Sequence, residues 1–91
     1  MFRNQGEYAK ALEYYAKALA IQLKVLGENH PDTARSYNNI GITLYRSGKK
    51  EEARDHLRKA VEIAKKTLGP DHPTTKQFSA NLQFVENELK K

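Results

Sequence analysis

Leu26-Gly27-Glu28-Asn29-His30-Pro31-Asp32-Thr33 returns, 42 residues further on, as Leu68-Gly69-Pro70-Asp71-His72-Pro73-Thr74-Thr75. Gly6-Glu7-Tyr8-Ala9-Lys10-Ala11 returns with the same offset as Gly48-Lys49-Lys50-Glu51-Glu52-Ala53. Ala18, Ile21 and Lys24 return as Ala60, Ile63 and Lys66. An offset that never slips marks a stacked repeat, in which each unit covers its apolar face with the next copy.

The stretches between the echoes carry helical periodicity. In Glu7–Leu26 the apolar positions Tyr8, Ala11, Leu12, Tyr15, Ala18, Leu19, Val25 and Leu26 fall mostly at steps of three and four, which trace one helix face; Gln22 interrupts them. Gly27 supplies a left-handed stop. Pro31 suits a first helical position, because its missing N–H has no intrahelical partner there. Asp32 follows in the first turn, where the helix dipole favours negative charge. A second helix is expected over roughly Asp32–Ser47, a third over Lys49–Leu68, and a fourth from Pro73 or Thr74 towards Leu89. No segment alternates with period two, so no strand is expected. Loops of about two to six residues make successive helices antiparallel neighbours.

Composition removes most other classes. A chain of 91 residues is one domain at most, with a thin core. The absence of cysteine excludes disulfides and thiolate metal sites. No apolar run approaches the roughly 20 residues that span a bilayer, and Met1–Gly6 lacks the apolar core of a signal peptide. A cytoplasmic protein without membrane contact is expected. The net charge of +5 fits an acidic partner or nucleic acid. Solvated helix faces account for it better, because Glu13/Lys17, Asp55/Lys59 and Glu62/Lys66 stand at i,i+4 in the favourable order.

From Ala34 to Ile63 the chain resembles a tetratricopeptide repeat. The family's run of a bulky aromatic, Leu-Gly, Tyr, and two alanines flanking an aromatic or large residue is followed in spacing, with mild substitutions, by Tyr37-x-x-Ile40-Gly41-x-x-Leu44, Gly48 and Ala53-x-x-x-Leu57-x-x-Ala60. Small Gly41, Ala53 and Ala60 let two helices approach closely, and the large residues fill the space around them. The period of 42 exceeds the family's usual 34 or so and is similar to the long repeats of kinesin light chains. The resemblance implies an all-α fold, with antiparallel helical hairpins stacked into a right-handed solenoid of about four helices. It divides the chain into a truncated repeat (1–31), a full repeat (32–73) and a C-terminal capping helix (74–91). Phe2 would end a preceding helix that the first repeat lacks. Ser79 and Gln83 stand in α-helical positions where the full repeat has Tyr37 and Gly41, which suits a terminal cap.

The resemblance also implies a protein-binding scaffold with a concave groove and no catalysis. The ligand-facing positions it indicates are Arg35, Asn38, Asn39, Ile42, Tyr45 and Arg46 on the second helix. On the fourth they are Gln77, Ala80, Asn81, Phe84, Asn87 and Glu88. Arg3 is a candidate for the same groove. Their chemistry fits the role: Asn39 and Asn81 offer both a donor and an acceptor to a peptide backbone, Ile42 and Tyr45 offer apolar contact, and Arg35 and Arg46 suit a carboxylate. The competing account has Asn39 tying two helices together and Tyr45 in the core.

Sharper functions find little support. His30 and His72 each stand beside a single carboxylate, whereas a metal needs three or four converging ligands. They are expected to close the loop and cap the next helix through a ring nitrogen. His56 is expected at an edge of the packing. No nucleophile–base set is present, and no metal or cofactor is expected. RNA-reading repeats have another period and paired code positions, so nucleic acid is not the expected partner. A structural alternative is self-association: without a preceding helix, some of Tyr8, Leu12, Tyr15, Leu19 and Val25 would stay uncovered and seek a second copy.

Overall fold

The computed structural model describes residues 5–91, with side chains from residue 7 onward. Its elements are α1 (Gln5–Val25), α2 (Pro31–Arg46), α3 (Lys50–Leu68) and α4 (Pro73–Lys90), with no strand among the described residues. Phe2 and Arg3 lie outside them. The fold is all-α, as the repeat requires.

Local chemistry sets the helix boundaries. His30 Nδ1 accepts from the backbone N–H of Asp32 at 3.0 Å, and His72 Nδ1 accepts from that of Thr74 at 3.0 Å. Each imidazole therefore satisfies one of the helix-start donors that have no intrahelical partner. A proline follows each of them in the first turn. Gly27 and Gly69 leave the preceding helices at φ 85° and 95°, a region that a Cβ disfavours. Thr33 Oγ1 donates to the Gly27 carbonyl at 2.9 Å and ties the first loop onto α2.

Among the described residues, α2 packs most extensively on α3, then α3 on α4 and α1 on α2, while α2 and α4 touch lightly. One core cluster joins Ala34, Ala60, Val61, Ile63, Ala64 and Phe78. The other joins Ile40, Leu44, Ala53, Leu57 and Val85, with Leu12, Tyr15 and Leu19 of α1 along its border. Gly41 sets the α2–α3 approach: a Cβ there would lie 2.6 Å from Leu57 Cγ. Leu57 is itself completely buried, so the absent methyl lets the two helices close on it.

Two expectations need correction. The i,i+4 pairs Glu13/Lys17, Asp55/Lys59 and Glu62/Lys66 form no ion pair within 4 Å among the described residues. The longer-range pairs join different elements instead: Lys59 reaches Glu28 at 2.8 Å, Lys50 reaches Glu88 at 3.5 Å and Arg58 reaches Glu86 at 3.5 Å. Antiparallel packing returns a carboxylate to the edge of the neighbouring helix, and the long cationic stems cross to it. The uncovered side of α1 is also different. Leu12, Tyr15 and Leu19 face α2, and Ser36 Oγ donates to Gln22 Oε1 across the same contact. Tyr14, Ile21 and Val25 remain outside, at 71%, 63% and 72% exposure. Of the five residues some of which were expected to be open, Val25 is exposed, and Tyr8, Leu12, Tyr15 and Leu19 are half-buried.

Among the described residues, no helix is long and apolar enough to cross a membrane.

Candidate functional site

The repeat places α2 and α4 side by side in equivalent positions. A groove of about 250 Å³ opens between them, walled by Ile42, Tyr45, Arg46, Asn81 and Phe84, with Leu57 and Val85 beneath. All five wall residues are positions that the family pattern indicated. The Tyr45 and Phe84 rings meet edge to face, with centroids 5.4 Å apart and planes at 74°. Tyr45 is half-buried, so it borders the core and walls the groove at once. Phe84 stays 53% exposed, a large apolar surface left to solvent within a concave site. Arg46 is exposed and forms no ion pair among the described residues.

The remaining indicated positions do not converge here. Asn38 is 6% exposed, and its Oδ1 accepts from Asn81 Nδ2 at 3.1 Å. The polar tie between helices is therefore made by Asn38, whose position turns it towards α4. Asn39 lies one residue, or about 100° of helix, further round. With Arg35 it lines a second groove of about 310 Å³, shared with Tyr14, Tyr15 and Ala18 of α1. Arg35 stands 3.9 Å from Asp32 in an exposed pair. Gln77, Ala80 and Asn87 are exposed and line neither groove. Glu88 is half-buried at the far end of α4. A hydrogen bond from Lys91 holds its carboxyl below the usual range, with further help from the charges of Lys91 and Lys50.

Leu57 and Val85 are the groove residues that sequence patterning missed. The family pattern sets Leu57 against the small residues and does not extend to Val85; both lie in the core, and the groove reaches down to them between α2 and α4.

The histidines have structural partners. His30 and His72 are bonded to helix starts. His56 Nδ1 lies 2.9 Å from the Glu52 carbonyl, and its ring lies 6.1 Å from that of Tyr37. No group of three or more His, Cys, Asp or Glu among the described residues is arranged to hold a metal ion.

The family model for the tetratricopeptide repeat matches residues 1–66. The chain belongs to the tetratricopeptide repeat family, whose repeats generally serve as non-enzymatic scaffolds for protein–protein interaction. No curated protein matches the chain.

Proposed function

We propose that this chain binds an extended, acidic peptide segment of a partner protein in the groove between α2 and α4. The repeat over 32–73 supplies one wall and the helix within 74–91 supplies the other. The observation that carries this reading is the convergence of Ile42, Tyr45 and the exposed Phe84 around a concavity where Arg46 is the one charged wall residue among the described residues. Apolar anchors in such a site hold a side chain. An arginine free of internal carboxylates favours a carboxylate on the ligand.

A peptide-array screen tests the assignment. Wild-type protein, Phe84→Ala, Arg46→Glu and Asn39→Ala are compared on one array that includes acidic and basic sequences. Phe84→Ala is expected to weaken capture at least tenfold, and Arg46→Glu to remove the preference for acidic peptides. Asn39→Ala, in the other groove, should change neither. Equal capture by wild type and Phe84→Ala removes the groove from consideration.

A further inference from the structure

α3 carries a covered version of the face that α1 leaves open. Its positions Ala53, Ala60 and Ile63 are 0%, 0% and 2% exposed, under a cover to which α2 contributes Ala34, Tyr37 and Gly41. The positions 42 residues earlier are Ala11, Ala18 and Ile21. With Tyr14 and Val25 they form a stripe on α1 that steps by three, four, three and four. This is the spacing of a seam along which a second helix lies. On α1 no described element covers it: Tyr14, Ile21 and Val25 are exposed, and the stripe borders the second groove, against Arg35 and Asn39. Exposed apolar side chains gathered in one stripe mark an interaction surface.

Charge identifies the class of occupant. Lys10, Lys17 and Lys24 recur every seven residues along the edge of the stripe that faces away from α2. All three are exposed, with no carboxylate partner among the described residues. On α3 the equivalent lysines are Lys59 and Lys66. There the segment leading into the covering helix answers them with Glu28, whose carboxylate lies 2.8 Å from Lys59 Nζ. A second folded copy of this chain does not present that complement, because its own Glu28 and α2 are already engaged on α3. Two α1 helices paired antiparallel would set one lysine edge against the other, and each copy carries a net charge of +5. The α4 of a second copy would bring Lys76, Gln83 and Glu86 to the places where α2 brings Ala34, Gly41 and Leu44. Gln83 would then occupy the position at which even a Cβ is too close to the neighbouring helix.

We infer that the open face of α1 is a docking site for an amphipathic α-helix of a partner protein, lying antiparallel to α1 with acidic residues near its N-terminal end against Lys17 and Lys24. An acidic N-terminal turn also complements the dipole of the incoming helix, and the apolar stripe provides helix-in-groove anchoring. This site is separate from the groove between α2 and α4.

The test uses a fluorescein-labelled peptide with the sequence of residues 28–46, which covers the equivalent face on α3, and the same peptide carrying Glu28→Lys and Asp32→Lys. Fluorescence anisotropy with the intact chain should show the parent peptide binding at least tenfold more tightly than the lysine version. Ile21→Glu should abolish binding. Lys17→Glu combined with Lys24→Glu should reverse the preference between the two peptides, whereas Phe84→Ala should leave it unchanged. Circular dichroism establishes that each variant is folded; these substitutions lie on exposed positions. Absence of saturable binding by the parent peptide overturns the inference, as does a preference that survives the charge reversal. Sedimentation of the chain alone as a dimer that Ile21→Glu dissociates would place a second copy on this face and also overturn it.

Discussion

Ile21 and Ile63 are the same residue at the same place in the repeat, yet Ile21 is 63% exposed and Ile63 is 2% exposed. Ala18 and Ala60 differ in the same direction, half-buried on α1 and fully buried on α3. α3 lies between α2 and α4, whereas α1 has α2 as its only described neighbour. One sequence pattern therefore carries two energetic meanings. Burying a side chain of this size stabilises by roughly 1.5–3 kcal/mol, and only where a neighbouring helix removes it from water. The apolar positions of a repeat are an offer of contact, and the packing decides which offers are met.

The sharpest way to break this comparison is to truncate both isoleucines. Ile63→Ala should lose about 2–5 kcal/mol, the usual result of emptying a packed core site. Ile21→Ala should stay within about 0.5 kcal/mol, as for an exposed position. Urea denaturation of the two variants gives both numbers, and losses of similar size would mean that α1 is covered in solution.

Gly41 sharpens the same contrast from the side of the covering helix. Gly41→Ala drives a methyl into Leu57 and Ala53 and should lower stability by about 1–3 kcal/mol, despite the better helix propensity of alanine. At the equivalent place on α4, Gln83 is exposed, and Gln83→Ala should be close to neutral. A stabilising Gly41→Ala, seen as a higher denaturation midpoint, would show that α2 and α3 are less closely packed than described.

The two histidine caps compare the loops that enter α2 and α4. His30→Ala and His72→Ala should each lose about 0.5–2 kcal/mol, with asparagine at either position restoring most of the loss. Thermal unfolding of the four variants tests this, and an alanine variant as stable as wild type removes the cap at that loop.

The smallest effect concerns Lys59 and its equivalent Lys17. The hydrogen bond from Lys59, and then its charge and that of Lys66, hold the Glu28 carboxyl below its usual range. The same bond raises Lys59 above the usual lysine range. The carboxyl's contribution is present above its unfolded pKa and is lost as pH falls through the lower folded value. The lysine's contribution is complete below its unfolded pKa and is lost as pH rises through the higher folded value. The pair thus acts at neutral pH and fades at both extremes. Glu28→Gln should slightly flatten the acid limb of a plot of unfolding midpoint against pH. Lys17→Gln, which removes no internal pair, should leave that limb unchanged. Coincident curves for wild type and Glu28→Gln would break the assignment.

Much of the fold was legible because its signals are local. The echo of Leu26–Thr33 in Leu68–Thr75 announces a repeat. His30-Pro31 and His72-Pro73 announce helix starts, and both ring nitrogens sit where a cap requires them. Gly41 announces a close approach, and Leu57 fills it. The candidate site was legible in part. Ile42, Tyr45, Arg46, Asn81 and Phe84 meet in one groove, whereas Asn38 is bonded beneath Asn81 and Arg35 and Asn39 belong to another groove. Adjacent positions on a helix point about 100° apart, so a site assigned from helix position alone includes residues that the neighbouring helix has already claimed.

The sequence by itself determined the repeat, its period, the four helices and their caps, because each follows from propensity, periodicity or a hydrogen bond reaching only a few residues. Tertiary structure alone decided that Leu12, Tyr15 and Leu19 turn towards α2 while Tyr14, Ile21 and Val25 stay in water. It also decided that Lys59 crosses to Glu28 and leaves its own-helix neighbour Asp55 aside. The reason is that a helix carries apolar and charged side chains on more than one side, and only the placement of the adjacent helix selects which of them are buried or paired.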